Sequence, residues 1–483
     1  MNADLLRLGG VIGALGLSAL ILARARTWRA GALAVWALGC GLLAIELAPS
    51  GHHRAYAAAA VAGLAAAGLL ALLFVRLPWT LAVAVLACAP ARIPIKIGAT
   101  KANLLLPLYV VVAGAALALA WGLLRKPPAD AEPAAFGLGA SARPAALLVA
   151  WLGLGLLWSD AADKSLRAGA VDLLFYVLPL GLLAVALGRL RWDIRWVKGL
   201  YVQLAAMALA FAAIGIDQYL TRHIYWNPKV IVDNAYAPNS WFYRVNSIFY
   251  DPSIYGRFLV VAILASLVLV LFGRGRPVWA AACAATVTLV GLLPSFSQSS
   301  FFALGCGIAV ALTVLWRKKA LLPLAFAVAA LAAVTLGVPQ LRHRVLGKNL
   351  SHATGTRSTL VSTGIKLALH HPLIGLGTGG FVSGYAKETH TSGAASHDAP
   401  ITVAAENGLP GLALLLWLLA AVFVVPFRGN RVRTATDRAR LAFGLALLAI
   451  VVHSLFYNAL LEDPLFWALL ALSAVALREP ASA

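Results

Sequence analysis

Apolar runs of membrane-spanning length recur along the whole chain, and they restrict the fold more than any other feature of the sequence. Of the 483 residues, 61% are hydrophobic and 12% are charged, whereas soluble domains are typically about 25% charged. A helix that crosses a bilayer needs about 20 mainly apolar residues, and we therefore predict an all-α fold, a polytopic integral membrane helical bundle with about 12 to 14 transmembrane helices. The candidate runs lie at 5 to 23, 29 to 48, 55 to 75, 103 to 124, 144 to 158, 170 to 187, 199 to 216, 256 to 272, 278 to 293, 299 to 316, 320 to 338, 410 to 427, 440 to 460 and 464 to 477, with a further short run at 78 to 90.

The formal charge of +21 comes largely from cationic residues in short links between the apolar runs. By the positive-inside rule, such links lie in the cytoplasm. No nucleic-acid partner is predicted, because the charges cluster in links rather than on one polar face. The clustered residues are Arg24, Arg26, Arg29, Arg189, Arg191, Arg195, Lys198, Arg274, Arg276, Arg317, Lys318, Lys319, Arg428, Arg431, Arg433, Arg438 and Arg440.

Two long polar segments are separated by four candidate helices, an even number, which places both segments on the side opposite the basic links. In a multi-pass protein of a bacterial inner membrane, that side is the periplasm. Loops of this length are usually functional or disordered, and we expect these two to contain short helices. The predicted parts are an N-terminal bundle at 1–218, a first periplasmic loop at 219–254, central helices at 255–338, a second periplasmic loop at 339–409 and C-terminal helices at 410–483.

Residues 395 to 411, ASHDAPITVAAENGLPG, place a histidine and two carboxylates just before an apolar run. Asp398 is a helix N-cap candidate, and Gly408 marks the end of the short helix that would follow. The pattern predicts a helix on the membrane surface with His397 presented at its start. The ordinary alternatives are that His397 is a solvated loop side chain, that Asp398 only caps the helix, and that Glu406 anchors a helix end.

A second polar stretch, residues 355 to 381, reads GTRSTLVSTGIKLALHHPLIGLGTGGF. Arg357 precedes a helix-like run that His371 ends, and the glycines after it form a flexible turn. The N–H groups of such a turn can approach an anion, but neither a Walker pattern nor a strand context is present, which argues against ATP. Because His370 and His371 are adjacent and no HExxH spacing occurs, we predict no metal and no cofactor.

Three motifs occur in a fixed order: Arg244 followed by DPSIYG, Arg357 with HHPLIGLGTGGF, and His397 with AENGLPGL. In order, spacing and sidedness they resemble the O-antigen ligase and O-antigen polymerase superfamily of bacterial envelope glycosyltransferases. The resemblance covers roughly residues 240 to 465, whereas the N-terminal half is similar only in being a helical bundle.

The resemblance implies an enzyme of the GT-C type that takes a glycan from undecaprenyl pyrophosphate and joins it to a sugar hydroxyl at the periplasmic face, without metal. It implies that His397 is the catalytic base and that Arg244 and Arg357 hold the pyrophosphate. The chemistry of these side chains agrees. An imidazole can remove the proton of a poorly nucleophilic hydroxyl, and arginine is permanently cationic and matches phosphate oxygens.

The chain departs from the family pattern at two places. Many members have Ser-Arg where this sequence has Ser-Gln-Ser at 297 to 299, and many have Asn at the position of Asp398. Whether a third arginine takes part, and what residue 398 does, therefore stay open.

Other polar residues are secondary candidates for the site. Arg257, two residues inside its expected span, is predicted to extend toward lipid headgroups, with contact to the lipid pyrophosphate as the alternative. His453 and the Glu462-Asp463 pair are predicted at the outer end of the following helices, where they would either bind the acceptor sugar or simply lie at the interface. The secondary candidates are Arg257, Asp398, Glu406, His371 and His453.

Two variants of the enzyme hypothesis differ in their acceptor. A ligase would use lipid A-core and a polymerase would use another lipid-linked glycan; we favour the ligase. A transporter or flippase of lipid-linked glycans is the alternative from another class, and it would require charges at mid-membrane depth. The apolar runs are nearly free of charge, with Asp172 and Glu46 among the exceptions, which favours surface chemistry. Membrane lipids are the remaining predicted partners.

Overall fold

A computed structural model describes residues 2–48, 53–97, 100–125, 137–225, 230–231, 234, 243–316, 357–392, 394, 396–424 and 432–478. Ten helical segments in these ranges are long and apolar enough to cross a membrane. The predicted class, a polytopic helical membrane bundle, is therefore confirmed. The predicted run at 320 to 338 lies outside the described residues, so the total of 12 to 14 spans and the five-part division stay predictions.

The helices follow the apolar runs closely, and several are shorter than a full span. They are α1 Ala3–Leu22, α2 Arg26–Leu47, α3 His53–Arg76, α4 Thr80–Cys88, α5 Leu106–Leu124, α6 Ala142–Leu154, α7 Ser165–Asp172, α8 Leu178–Leu187, α9 Ile194–Thr221, α10 Pro252–Phe272, α11 Arg276–Leu292, α12 Gln298–Trp316, α13 Arg357–His370, α14 Phe381–Thr389, α15 Ala399–Val424, α16 Ala435–Ser454 and α17 Pro464–Ala476. A π-helical turn, Leu173–Val177, joins α7 to α8.

A short β-hairpin between α4 and α5 departs from the all-α expectation. Strand β1, Ile93–Ile97, pairs antiparallel with β2, Thr100–Leu104, and Ile95 lies opposite Ala102. The preceding short run at 78 to 90 is α4, with only nine residues. A two-stranded hairpin is marginally stable by itself and depends on support from neighbouring elements. Because that support comes from outside the hairpin, its local sequence did not predict it.

Close helix contacts in the N-terminal part depend on glycine. A Cβ on Gly39 of α2 would lie 2.1 Å from the backbone nitrogen of Gly13 in α1, and one on Gly16 would lie 2.4 Å from the backbone nitrogen of Trp36. Such separations are far below van der Waals contact. Small residues therefore allow the two backbones to touch, which is how apolar helices gain packing energy where burial from water contributes little.

The central helix α10 is buried along most of its length and forms a second core with parts of α9, α12 and α16. A separate small core lies within the second polar segment, where α13 and α14 pack on the start of α15. Its members are Leu360, Leu367, Phe381, Tyr385 and Ala405. The polar segment is therefore folded around its own apolar cluster.

Helix α15 contains one sharp break. Gly408 has φ +67° and ψ −173°, which separates a short first part from the long apolar part. A Cβ at Gly408 would lie 2.7 Å from the carbonyl of Leu373. Because only glycine adopts this conformation at little cost, the predicted end of a short helix at Gly408, followed at once by a spanning helix, is confirmed.

Candidate functional site

His397 lies immediately before α15, where the N-cap of that helix fixes the chain. The carboxylate of Asp398 accepts a hydrogen bond from the backbone N–H of Ile401 at 2.9 Å, and the backbone N–H of Asp398 donates to Oγ of Ser396 at 3.1 Å. Burial raises the pKa of the Asp398 carboxyl, and the hydrogen bond from Ile401 offsets part of that rise. Asp398 is thus the predicted N-cap, and His397 is half-buried beside it.

The glycine-rich turn between α13 and α14 surrounds a carboxylate of the protein itself. The side chain of Glu406 accepts hydrogen bonds from the backbone N–H groups of Gly379, at 3.0 Å, and Phe381, at 3.1 Å. The N–H of Gly377 donates to the backbone carbonyl of Glu406 at 2.8 Å. The N–H groups of this turn therefore face the carboxyl group of Glu406.

The same turn docks the polar segment onto the membrane bundle. Thr378 donates from Oγ1 to the carbonyl of Leu152 in α6 at 2.7 Å, and its own carbonyl accepts from Oγ of Ser159 at 2.9 Å. A Cβ on Gly379, whose φ is +84°, would lie 2.2 Å from the backbone nitrogen of Gly169 in α7. The turn is therefore held from two sides, by Glu406 of α15 and by the bundle, and these contacts connect it to the helix that begins just after His397 and Asp398.

Replacing Glu406 with glutamine is expected to loosen this turn. The amide offers one acceptor oxygen, so the N–H of Gly379 or of Phe381 would face an NH2 group and stay buried without a partner, at a cost of about 1 to 3 kcal/mol. Limited proteolysis of residues 371–398 should become faster, while the helical content stays unchanged. Glu388→Gln, at an exposed position of α14, is the control; equal cleavage rates in the two variants would contradict the role assigned to Glu406.

Arg244 is anchored on the turn that follows α11. Its Nε donates to the carbonyl of Ser295 at 3.2 Å. Its backbone N–H donates to Oδ1 of Asn234 at 3.1 Å, and its carbonyl accepts from Nδ2 of the same residue at 2.8 Å. The Ser-Gln-Ser sequence at 297 to 299 begins two residues after Ser295, so the position where many relatives have a third arginine is next to the anchor of Arg244.

The structure says less about two other predicted site residues, Arg357 and His371. Arg357 begins α13, as predicted, but its side chain lies outside what the structure describes. His371 follows the end of α13 and is exposed. His397 and Arg244 are held by different elements, the start of α15 and the turn after α11, and their convergence with Arg357 around one phosphate stays a prediction.

The predicted position of Arg257 at the headgroup layer is wrong. Arg257 is only 3% exposed, and its Nη2 lies 2.8 Å from Oδ2 of Asp463.

A second buried arginine, Arg92, was not predicted from the sequence and is 4% exposed. Its Nη1 lies 3.4 Å from the carboxylate of Glu462, and its Nη2 donates to the carbonyl of Glu462 at 2.8 Å. Burial raises the pKa of Glu462 despite the opposing effect of Arg92.

His453, in the last turn of α16 as predicted, is buried within the protein, and its role stays a prediction. The side chain is completely buried, and Nε2 lies 3.1 Å from the carbonyl of Ser253 at the start of α10. Its ring packs against Tyr457. No sequence signal pairs His453 with Ser253, because the two are 200 residues apart in the chain.

A polar cavity of about 80 Å³ lies on the bundle side of the first turns of α15. Three carboxyl side chains line it, those of Asp172, Glu406 and Glu462, together with Thr402 and Asn407. Asn407 is 1% exposed, and its Nδ2 has no hydrogen-bond partner among the described residues. At roughly 30 Å³ per liquid water, the cavity has room for two or three waters beside these groups. Asp172 therefore lines the same cavity as Glu406. The sequence alone indicated only that Asp172 is an unusual charge in an apolar run.

In the described parts of the chain, no group of three or more His, Cys, Asp or Glu side chains is arranged to hold a metal ion. The candidate site consists instead of a half-buried imidazole at a helix start, a carboxylate-anchored glycine turn and an anchored arginine. These parts suit proton transfer and anion binding.

A sequence profile of the family described as O-antigen ligase matches residues 283–416. The matched segment contains the glycine-rich turn, Arg357 and His397, and it lies within the range over which the motifs predicted the resemblance. Arg244 lies outside it. No curated protein sequence and no solved structure matches the chain.

Proposed function

We propose that this chain, which the match over residues 283–416 assigns to the O-antigen ligase superfamily, is a membrane glycosyltransferase. Its donor would be a glycan on undecaprenyl pyrophosphate, and its acceptor a sugar hydroxyl of lipid A-core at the periplasmic face of the inner membrane. The observation that carries the proposal is the family match, since it includes both Arg357 and His397. The anchored turn that joins the elements carrying these two residues supports it.

In the proposed reaction, the acceptor hydroxyl attacks the anomeric carbon of the donor sugar from the side opposite the pyrophosphate. The new carbon–oxygen bond forms as the bond to the pyrophosphate oxygen breaks, so the anomeric configuration inverts. His397 takes the hydroxyl proton, and undecaprenyl pyrophosphate departs. A positioned base of this kind contributes about 10² to 10⁴-fold in rate.

Arg244 and Arg357 would neutralise the leaving pyrophosphate. Each charge-assisted hydrogen bond from a guanidinium to a phosphate oxygen stabilises the complex by about 1.5 to 3 kcal/mol. Arg244 is anchored through Nε to the carbonyl of Ser295, and a guanidinium group carries forked N–H donors whose geometry matches two phosphate oxygens. Arginine thus supplies the charge that departure requires, and no general acid is needed.

The experiment is transfer by the purified protein from a synthetic polyprenyl-pyrophosphate glycan to lipid A-core, with and without EDTA. We expect product with inverted anomeric configuration, and an unchanged rate in EDTA, because the proposed chemistry uses imidazole and guanidinium groups only. Retained configuration would contradict direct displacement. A rate that falls in EDTA and recovers with a divalent cation would contradict metal independence.

The polymerase alternative is tested in the same assay by offering a second lipid-linked repeat unit as acceptor. A ligase and a polymerase would use the same glycan donor and the same leaving group. The described contacts therefore favour neither hypothesis. Preference for the repeat unit over lipid A-core would move the assignment to a polymerase.

The transporter alternative requires charges at mid-membrane depth, and the bundle does contain buried ones. Arg92 lies after the end of α4, and Glu462 and Asp463 lie immediately before α17, so these charges sit at helix ends. Each arginine is also paired with a carboxylate. The pairing of both arginines with carboxylates and the family match favour the enzyme.

A further inference from the structure

An apolar groove of about 190 Å³ shares no lining residue with the cavity beside the first turns of α15. Its walls come mainly from α4, α9, α10, α16 and α17, and nearly every lining side chain is aliphatic or aromatic. The exceptions are Lys198 of α9, Arg438 of α16 and Tyr201, whose hydroxyl is hydrogen-bonded to Ser266 at 3.2 Å. Both cations lie in the first turns of their helices.

The cationic end of the groove has the features of a membrane–water interface. Nε1 of Trp192, just before α9, donates to Oγ1 of Thr436 in the first turn of α16 at 3.2 Å. The ring of Trp192 also contacts that of Trp196, at a centroid distance of 6.0 Å. Arg438 donates to the carbonyl of Phe272 at the end of α10 at 3.3 Å. Tryptophan and arginine at helix ends are typical of the headgroup layer, so this end opens to the bilayer surface.

The groove has the length of one leaflet. Its lining on α16 runs from Ala435 to Ala446, which at 1.5 Å per residue is about 16 Å, against about 15 Å for half of a 30 Å hydrocarbon core. At its inner end lies Leu465, two residues after Asp463, and Val261, one turn after Arg257. The buried Arg257–Asp463 pair lines a separate small cavity that shares Leu465 with the groove.

We propose that this groove binds one anionic glycerophospholipid, with an acyl chain between α9, α10 and α16 and its phosphate between Lys198 and Arg438. Charge complementarity selects this occupant. Two cations at the mouth favour a headgroup with net negative charge and disfavour a zwitterionic one, whose ammonium would face them. The nearby carboxylates of Asp193 and Asp437 are engaged in accepting backbone N–H groups at the starts of α9 and α16.

This lipid is distinct from the proposed donor. The mouth lies among the basic links that the positive-inside rule places in the cytoplasm, whereas the donor pyrophosphate is proposed to bind on the opposite side. The groove would therefore hold a lipid of the inner leaflet, and its occupant would fill the space between α9, α10 and α16.

The test is native mass spectrometry of the detergent-solubilised full chain, titrated with phosphatidylglycerol and, separately, with phosphatidylethanolamine. We expect one phosphatidylglycerol to bind at least tenfold more tightly than phosphatidylethanolamine. Lys198→Ala and Arg438→Ala should each weaken that binding about tenfold, and Lys198→Arg should retain it. Arg195→Ala and Arg276→Ala, in neighbouring basic links but outside the groove lining, are matched controls that should leave it unchanged.

Three results would overturn the proposal. Equal affinity for the two lipids would show ordinary annular lipid only. Unchanged phosphatidylglycerol binding in a double Lys198→Ala, Arg438→Ala variant would show that these two cations do not bind the lipid phosphate. Displacement of phosphatidylglycerol by undecaprenyl phosphate, with no dependence on these two cations, would assign the groove to the donor tail. If the alanine variants cannot be purified as a single folded species, Ala439→Leu provides a second test. This substitution narrows the groove without changing its charge and should also weaken phosphatidylglycerol binding.

Discussion

Substitution of His397 with alanine should lower glycan transfer by about 10² to 10⁴-fold, the contribution expected of a general base. Histidine is the side chain most often used as a general base, and the neighbouring Asp398 is occupied in capping the helix. Thermal stability should change little, because His397 is half-buried and precedes the helix. The measurement is kcat in the purified transfer assay.

The matched control is His370→Ala. His370 is exposed in the last turn of α13, in the same polar segment, and its loss should leave kcat within about twofold of the wild type, as is usual for surface substitutions. Asp398→Asn should keep most of the activity, since an asparagine caps a helix as well as an aspartate. Wild-type turnover in His397→Ala would remove the base from the mechanism without affecting the family assignment.

A second large effect is expected at the buried pair of Arg257 and Asp463. The two side chains are 4% and 3% exposed, so removing one partner leaves an uncompensated charge in a region of low dielectric, at a cost of about 3 to 5 kcal/mol. Asp463→Asn is the sharper variant, because the amide oxygen can still accept the backbone N–H of Leu465 that caps α17. We expect a clear fall in the Tm of the detergent-solubilised protein.

The control for this prediction is the exposed pair of Lys387 and Asp163. Their atoms are equally close, at 2.7 Å, but the lysine side chain is 66% exposed, and such pairs contribute about 0 to 1 kcal/mol. Lys387→Met should therefore leave the Tm almost unchanged. A double variant, Arg257→Met with Asp463→Asn, should recover much of the stability that Asp463→Asn alone loses, because it removes both charges and keeps the cap of α17. Failure of that recovery would show that Arg257 has a further partner in the fold.

Local features of the polar segment were predictable from sequence. The cap at Asp398, the start of α13 at Arg357 and the break at Gly408 depend on neighbours within a few residues, so capping and turn preferences suffice to find them. The long apolar runs were equally clear, because the bilayer fixes their length and composition.

Contacts between distant segments were not predictable in this way. Arg92 meets Glu462 across 370 residues, and nothing in the composition around either residue indicates the other. Arg257 was expected to reach the headgroups because an arginine near a helix end usually does so, but a buried carboxylate on a neighbouring helix provides an alternative partner. The glycine turn was expected to approach an anion, but its contact with the carboxyl group of Glu406 required the structure.

The break at Gly408 separates the long apolar part of α15 from a short helical part that begins just after His397. Glu406, near the end of this short part, is held by the N–H groups of the glycine turn. One residue inserted between 399 and 407 would turn the imidazole by about 100° around the axis and raise it by about 1.5 Å. If the proposed function holds, the length of this segment, eight residues from Ala399 to Glu406, determines which hydroxyls of a membrane-anchored acceptor His397 can reach.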